Sequence, residues 1–172
     1  MKSKSNVASK IVSVILGAVI GGFMWRCRGD GGFGSSWGLY SVGLVLMLLI
    51  FHFYGKRVYV TLNTLIKERE LNGIRQTLTM LEKLCVDAVL VQDMGVLQLI
   101  RNEFPSLCIH ASTQMAIHNA SGARFLQSLG VTRAVLAREC TLEAIRETAA
   151  TGIETEVFIH GAQCVCVSGQ CR

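Results

Sequence analysis

Charged and aromatic residues are scarce in this sequence, and the motif of one common protease class is missing. Charged residues make up 17% and aromatic residues 7% of the 172 positions, and no basic patch is interleaved with aromatics. Nucleic-acid binding therefore cannot be argued from charge. No His-Glu-x-x-His motif occurs, so the usual sequence sign of zinc proteolysis is missing. A candidate hydrolase nucleophile, Ser112 near His110, lacks the Gly-x-Ser-x-Gly setting of a nucleophile elbow.

The cysteines do not predict a disulfide scaffold. Their number is odd, at seven, and the second half of the chain has the pattern of an α/β core rather than of a small stapled fold. Four lie singly in apolar surroundings and are expected to be buried small hydrophobes: Cys27, Cys85, Cys108 and Cys140. The other three fall within the last thirteen residues: Cys164, Cys166 and Cys171. This cluster indicates either a site that a partner completes or a piece of something longer.

The apolar residues that are present are concentrated between positions 11 and 54. Segments 11–26 and 37–54 are predicted as helices, and the second would span about 27 Å of a bilayer core of about 30 Å. Because basic residues flank both segments, we expect a membrane-type hairpin over residues 1–56, which contacts the membrane through 11–54. Residues 57–172 would then be cytoplasmic. A signal peptide and a buried core hairpin of a soluble protein are the alternatives.

After Arg57 the pattern becomes an alternation of short apolar strands and helical segments. The predicted strands cover 58–63, 87–92, 107–112, 133–138 and 154–161. The predicted helices between them cover 67–84, 95–104, 118–130 and 141–152. This order predicts an α/β domain over 57–172 with parallel strands. Because five strands do not close an eight-stranded barrel, the predicted fold class is an incomplete parallel (β/α) barrel fragment.

Polar residues recur where the predicted strands end. They are Asn63, Gln92, Asp93, His110, Ser112, Arg138, Glu139 and His160. Barrel enzymes place their chemistry at the carboxyl ends of parallel strands. Asp93, Ser112 and Thr141 are also typical helix caps, so capping is the alternative for any one position. The repetition over five strand ends favours a site.

The last predicted strand and the residues after it carry a specific motif. It consists of Glu156, Phe158, Gly161, Ala162, Cys164, Gly169 and Cys171. This motif resembles the signature of the collagenase-like peptidases, known as peptidase family U-thirty-two. Other stretches also match, at 58–65, 87–97, 109–119 and 130–145. The resemblance covers residues 58–171 and leaves residues 1–56 unmatched.

The resemblance implies a barrel-like α/β domain and one of two chemistries. Members bear the historical label of peptidases, whereas better understood relatives are oxygen-independent hydroxylases of RNA bases or of a quinone precursor. Those relatives hold a four-iron (4Fe-4S) cluster through four cysteines, and the first two correspond to Cys164 and Cys171. The expected cleft residues are His110, Gln114, Arg138, Glu139, Glu156 and His160, and Asn63 and Gln92 are expected at cofactor-binding positions.

The implied cluster has only half of its ligands in this sequence, because a four-iron cluster takes four thiolates. Cys166 as a third ligand is one weaker alternative. Zinc bound by Cys164, Cys171 and His160 is another, since a structural zinc takes four ligands. In the implied cleft, Arg138 would hold an anionic group of a substrate or cofactor. The substrate, whether peptide, RNA or small molecule, is left open.

Two expectations follow from the missing ligands and strands. A partner chain could complete the barrel and supply the other thiolates. The alternative is an inactive, membrane-anchored fragment, or a fusion or truncation of a gene, without catalytic activity.

Overall fold

Five parallel strands form the sheet that organises the described part of the protein. The computed structural model describes residue 46, residues 54–161 and residues 164–170. The strands are β1 (Tyr59–Leu62), β2 (Ala88–Val91), β3 (Ile109–Ala111), β4 (Val131–Val135) and β5 (Glu154–Glu156). They lie in the order β1-β2-β3-β4-β5, and each neighbouring pair is parallel. The predicted α/β class with five parallel strands is confirmed.

A helix connects each strand to the next, as parallel neighbours require. The helices are α1 (Leu71–Lys83), α2 (Met94–Glu103), α3 (Ala120–Ser128) and α4 (Leu142–Ala149). Short 3-10 turns cover Glu68–Glu70, just before α1, and Thr113–Met115, just after β3. The consecutive strand order means that the segments following β3, β4 and β5 leave the same edge of the sheet side by side.

Several of the polar residues at strand ends are caps. The side chains of Asp93, Asn119 and Thr141 accept hydrogen bonds from backbone N–H groups in the first turns of α2, α3 and α4. Ser112 accepts in the same way from Gln114 at the start of the 3-10 turn. These contacts satisfy N–H groups that have no partner within the helix. The capping alternative is therefore confirmed for Asp93, Ser112 and Thr141.

The hydrophobic core lies between the sheet and the helices. In β1, Val60 and Leu62 are buried, whereas Tyr59 and Thr61 are partly exposed. Because side chains alternate along a strand, the first pair faces the helices and the second pair faces the opposite side of the sheet. Large, fully buried core side chains come from several elements, and they include Leu78, Leu81, Leu97, Ile100, Leu126, Val60, Val89 and Val91.

β5 is shorter than predicted. It covers Glu154–Glu156 instead of 154–161. Just beyond β4, the N–H of Leu136 donates to the carbonyl of Glu156, whereas the N–H of Ala137 donates to the carbonyl of Ile117 in the segment after β3. Within the described residues, no backbone–backbone hydrogen bond joins the β4 side to the chain beyond Glu156. Two large apolar side chains there are exposed, Phe158 at 61% and Ile159 at 93%.

The predicted burial of the isolated cysteines is wrong for Cys85. This residue is exposed, whereas Cys108 and Cys140 are partly buried. Cys85 lies in the turn between α1 and β2 with a φ of +51°, a left-handed conformation typical of tight surface turns. Cys27 lies outside the described residues.

The prediction of a membrane localisation is wrong. Among the residues that the structure describes, no helix has both the length and the apolar composition needed to cross a bilayer. α1 has 13 residues, whereas a crossing takes about 20 residues for a core of about 30 Å. The two segments behind the prediction, 11–26 and 37–54, lie outside the described residues apart from Leu46 and Tyr54.

We expect Leu78→Ala to destabilise the fold by about 2–5 kcal/mol, because Leu78 is completely buried in the core and the change leaves a cavity. Chemical denaturation measures this difference. Leu142, on α4, is 73% exposed, so Leu142→Ala is the control and changes stability by less than about 0.5 kcal/mol. Equal losses in the two variants would contradict the assigned core.

A candidate cysteine site at the carboxyl edge of the sheet

The loop of residues 164–170, here called the cysteine loop, folds back over the carboxyl ends of β3 and β4. It follows β5 in the chain, yet its hydrogen bonds go to Arg138 and Glu139, directly after β4. Its glycine, Gly169, lies against the 3-10 turn that follows β3. The loop therefore joins three neighbouring strand ends at the edge where parallel α/β proteins place ligand sites.

Arg138 makes the largest set of contacts with the cysteine loop. Its Nη1 donates to the carbonyl oxygen of Cys164 at 3.0 Å, and its Nη2 donates to the carbonyl oxygen of Cys166. Its Nε and its backbone N–H both donate to the Oγ of Ser168, at 3.3 and 3.2 Å. Three nitrogens of one planar guanidinium group are thus bonded to three successive parts of the loop.

Glu139 holds the same loop from its backbone side. One carboxylate oxygen accepts the N–H of Ser168 at 2.9 Å. This hydrogen bond is the main reason why the pKa of Glu139 lies below its usual value. The other oxygen lies 3.8 Å from the Nε2 of His118. Because Ser168 itself is buried, its N–H and hydroxyl both obtain partners from the residues after β4.

Gly169 is required by the close approach of the loop to the turn after β3. Its φ is +82°, a region that favours glycine. A Cβ at this position would lie 2.7 Å from the carbonyl oxygen of Gln114 and 3.2 Å from the Cβ of Ala116. The motif glycine thus allows the loop to contact the segment after β3.

Cys164 is exposed, and its thiol has a lowered pKa. The hydrogen bond from the backbone N–H of Cys166 lowers the pKa of Cys164, and the charge and hydrogen bonding of Arg138 act in the same direction. A lower pKa favours the thiolate, which is the form that binds metals and acts as a nucleophile. Cys166 is a free, partly buried thiol in the same loop.

A second polar cluster lies on the face of the sheet opposite the helices, away from the cysteine loop. His110 of β3 is in register with Arg133 of β4, and Arg133 is in register with Glu154 of β5. The Arg133 guanidinium donates to Glu154 at 2.6 Å and to Glu156 at 3.3 Å. It lies 4.9 Å from the ring centre of Tyr59, whose ring meets that of His110 edge-on at 5.0 Å.

His110 in this cluster is held as a neutral imidazole. Burial lowers its pKa to about 4, and the positive charge of Arg133 acts in the same direction. The Nδ1 of His110 and the Nε of Arg133 are buried, and neither has a hydrogen-bond partner among the residues that the structure describes. Two polar atoms on neighbouring strands are therefore left for water or another group to satisfy.

The predicted site residues fall into different places. Arg138, Glu139 and Cys164 come together at the cysteine loop, and the backbone carbonyl of Gln114 borders it. His110 and Glu156 belong to the second cluster. Asn63 and Gln92 directly follow β1 and β2, and His160 is exposed beyond β5. Cys171 lies outside the described residues, so its role as a ligand stays a prediction.

Sequence reasoning missed three members of the second cluster and one anchor of the loop. Tyr59, Arg133 and Glu154 lie within strands rather than at their ends, and Ser168 is a small residue between motif positions. These residues could have been found from the alternation of side chains between the two faces of each strand. An arginine inside the apolar run of β4 needs partners on the face that it occupies.

The arrangement around Ser112 does not form a serine–histidine pair. The Oγ of Ser112 accepts the N–H of Gln114 at 3.4 Å. Within the described part of the chain, the Nδ1 of His110 has no hydrogen-bond partner, although a general base has to reach the proton of its nucleophile. The geometry of the described residues gives no support to hydrolysis at Ser112.

We expect His110 to make the fold sensitive to mild acid. The pKa of His110 is about 4 in the fold and about 6.5 in an unfolded chain, so unfolding takes up a proton at pH values between the two. Stability therefore falls as the pH decreases from 6.5 toward 4. Denaturation midpoints at pH 7 and pH 5 measure this loss of stability. Both pH values lie above the usual pKa of carboxyl groups. In His110→Gln the stability should change less between the two pH values. His118→Gln, at an exposed histidine, is the control and should keep the wild-type change. The same change of stability with pH in both variants would contradict the role of His110.

The chain is similar to several known proteins. The chain is 46% identical over 121 residues to a 23S rRNA 5-hydroxycytidine synthase of Escherichia coli, a match that covers 70% of this chain and 18% of that protein. It is 35% identical over 122 residues to tRNA hydroxylation protein P of Escherichia coli, which covers 70% and 27%. It is 37% identical over 126 residues to an uncharacterized protease of Methanocaldococcus jannaschii, which covers 70% and 30%. The chain thus spans less than a third of each of these relatives.

A solved structure and a family model also match this chain. A solved structure described as a U32 peptidase superposes with a TM-score of 0.55 at 17% identity, and the match covers 66% of this chain and 49% of that one. The family model described as peptidase family U32 matches residues 44–172. The resemblance predicted over 58–171 is therefore confirmed, whereas the domain boundary at residue 57 stays a prediction. This chain belongs to peptidase family U32.

Proposed function

We propose that this chain is the cysteine-bearing part of an RNA-hydroxylating enzyme, and that the cysteine loop holds an iron–sulfur cluster. The observation that carries the proposal is the state of Cys164. Its thiol is exposed, its pKa is lowered by the N–H of Cys166, and its carbonyl is fixed by Arg138. A thiolate held in a defined loop at the carboxyl edge of a parallel sheet suits metal binding.

The relatives support RNA as the substrate class. One is named for hydroxycytidine in 23S rRNA and another for hydroxylation of tRNA, with 46% and 35% identity to this chain. The matched segments cover 70% of this chain but only 18% and 27% of those proteins. RNA contacts of the whole enzyme would therefore come largely from regions other than the five strands described.

The described donor set fits such a cluster in part. Cys164 would be one ligand, with Cys171 as the second by the family motif. The described residues contain no group of three or more histidine, cysteine or acidic side chains placed to hold a metal ion. The other ligands would therefore come from a partner chain or from protein regions beyond those described. When bound, a cluster of this kind supplies one-electron transfer, with a potential that depends on hydrogen bonds to its sulfurs.

The protein's own groups would prepare the ligand in three ways. Arg138 orients the carbonyls on both sides of Val165, Glu139 fixes the N–H of Ser168, and the N–H of Cys166 points to the thiolate of Cys164. A backbone N–H bonded to a ligating sulfur is a common means of tuning a metal centre. The sheet itself would be one part of a (β/α) barrel, since its consecutive parallel order is that of a barrel wall.

A peptidase is the second candidate, because one relative is named as an uncharacterized protease. The contacts of Ser112 and His110 argue against a nucleophile–base pair there. Hydroxylation is therefore favoured over hydrolysis. A fragment with no catalytic activity is the remaining alternative, and metal content distinguishes it from the enzyme.

We expect the full chain, combined with the portion of the Escherichia coli rRNA synthase that it does not cover and reconstituted anaerobically with iron and sulfide, to contain iron and acid-labile sulfide and to absorb in the visible range. Cys164→Ser should lower the iron content several-fold, because serine is a poor substitute for a thiolate ligand. Cys85→Ser is the matched control, since Cys85 is an exposed free thiol in a different turn. Colourless wild-type protein, or equal iron in both variants, would contradict the metal site.

Hydroxylation can be tested in a chimera, since the chain covers only part of its relatives. The matched segment of the Escherichia coli rRNA synthase is replaced by the corresponding segment of this chain in cells that lack the synthase. We expect 5-hydroxycytidine in 23S rRNA, measured by mass spectrometry of nucleosides, and its loss when the chimera carries Cys164→Ser. The chimera with Cys85→Ser should retain it. Hydroxycytidine that persists without Cys164 would rule out the proposed role.

A further inference from the structure

We propose that Arg138 and Glu139 are positioning residues, which together hold the cysteine loop in the conformation that presents Cys164 to iron. The inference rests on the proposed function for the identity of the metal. Its structural part, the control of the loop by two residues after β4, stands on the contacts alone.

All three nitrogens of the Arg138 guanidinium form hydrogen bonds with the cysteine loop. Its three nitrogens bond the carbonyl oxygens of Cys164 and Cys166 and the hydroxyl of Ser168. These partners lie at every second residue, so one rigid fork fixes the path of the chain from 164 to 168. An anionic substrate would have to displace these contacts, and positioning is therefore a better account of Arg138 than the predicted capture of an anion.

Glu139 and Gly169 add two further points of attachment. The carboxylate of Glu139 takes the N–H of Ser168, while Arg138 takes its hydroxyl. The next residue, Gly169, touches the carbonyl of Gln114 in the turn after β3. The loop is therefore bound between the segments that follow two adjacent strands, β3 and β4.

Apolar packing does not offer the loop an alternative anchor. Its two valines, Val165 and Val167, are 102% and 54% exposed. Ser168 is the buried residue of the loop, and its burial comes with polar partners. Because buried apolar area supplies most of the stability of a folded segment, a loop without it depends on the hydrogen bonds from Arg138 and Glu139.

The test compares Arg138→Lys with Arg101→Lys in the full chain. Arg101 donates from Nη1 to the carbonyl of Ser128 at 3.2 Å, so the control removes a similar arginine–carbonyl contact elsewhere. A lysine ammonium cannot reach three acceptors in the geometry of a guanidinium. In iron-free protein we expect amide hydrogen exchange at Ser168 to become at least tenfold faster in Arg138→Lys and to stay unchanged in Arg101→Lys, with equal denaturation midpoints.

Glu139 provides a test by conservative rescue. Glu139→Gln keeps an oxygen that can accept the N–H of Ser168, whereas Glu139→Ala removes it. We expect the glutamine variant to retain slow exchange and the alanine variant to lose it. If the Ser168 amide still exchanged slowly in both Arg138→Lys and Glu139→Ala, the proposal that these two residues hold the loop would be overturned.

Iron binding then separates positioning from general stability. After anaerobic reconstitution of the chain together with the portion of the Escherichia coli rRNA synthase that it does not cover, Arg138→Lys and Glu139→Ala should bind several-fold less iron and show an altered visible spectrum, whereas Arg101→Lys and Glu139→Gln should resemble the wild type. Full iron uptake by Arg138→Lys with a fast-exchanging loop would refute its role in presenting Cys164. A wild type that takes up no iron would refute the proposed function, while the exchange experiment would still decide whether the two residues hold the loop.

Discussion

The hydrogen bonds from Arg138 to the cysteine loop are the interaction on which the site depends. They connect a loop that has little apolar burial of its own to the end of a strand inside the sheet. A loop with exposed valines would otherwise sample many conformations, because ordering each residue costs about 1–2 kcal/mol of backbone entropy. A single arginine at the right strand end sets the position of Cys164, and the sheet sets the position of the arginine.

The parallel order of the strands explains why residues far apart in the chain meet at this edge. Consecutive strands lie side by side, so the segments after β3, β4 and β5 leave the sheet in the same direction. Gln114, Arg138 and Cys164 are separated by more than twenty residues from one to the next, yet they border one loop. The second cluster, around Arg133, lies within the strands and organises the opposite face of the sheet.

The sequence predicted the strands, the helices and the place of Arg138 and Glu139 after a strand, because each follows from a local pattern, whereas Cys164 was singled out by the family motif. Apolar runs bounded by caps and glycines mark the elements, and position after a strand marks the edge. The roles of these residues could not be predicted in the same way. Whether Arg138 binds a substrate anion or a backbone carbonyl depends on where the loop returns, which is a long-range contact. The end of β5 is also a matter of long-range contact, because the last backbone hydrogen bond that it receives from the β4 side comes from Leu136 to Glu156.

The unpaired stretch beyond β5 has a consequence for handling the protein. Phe158 and Ile159 lie exposed next to a strand that pairs, among the described residues, on one side alone. A free sheet edge beside apolar side chains is a template for self-association of identical chains. At high concentration we expect the protein to aggregate through the edge of the sheet at β5. A charged residue in place of Ile159 would improve its solubility and leave the cysteines unchanged.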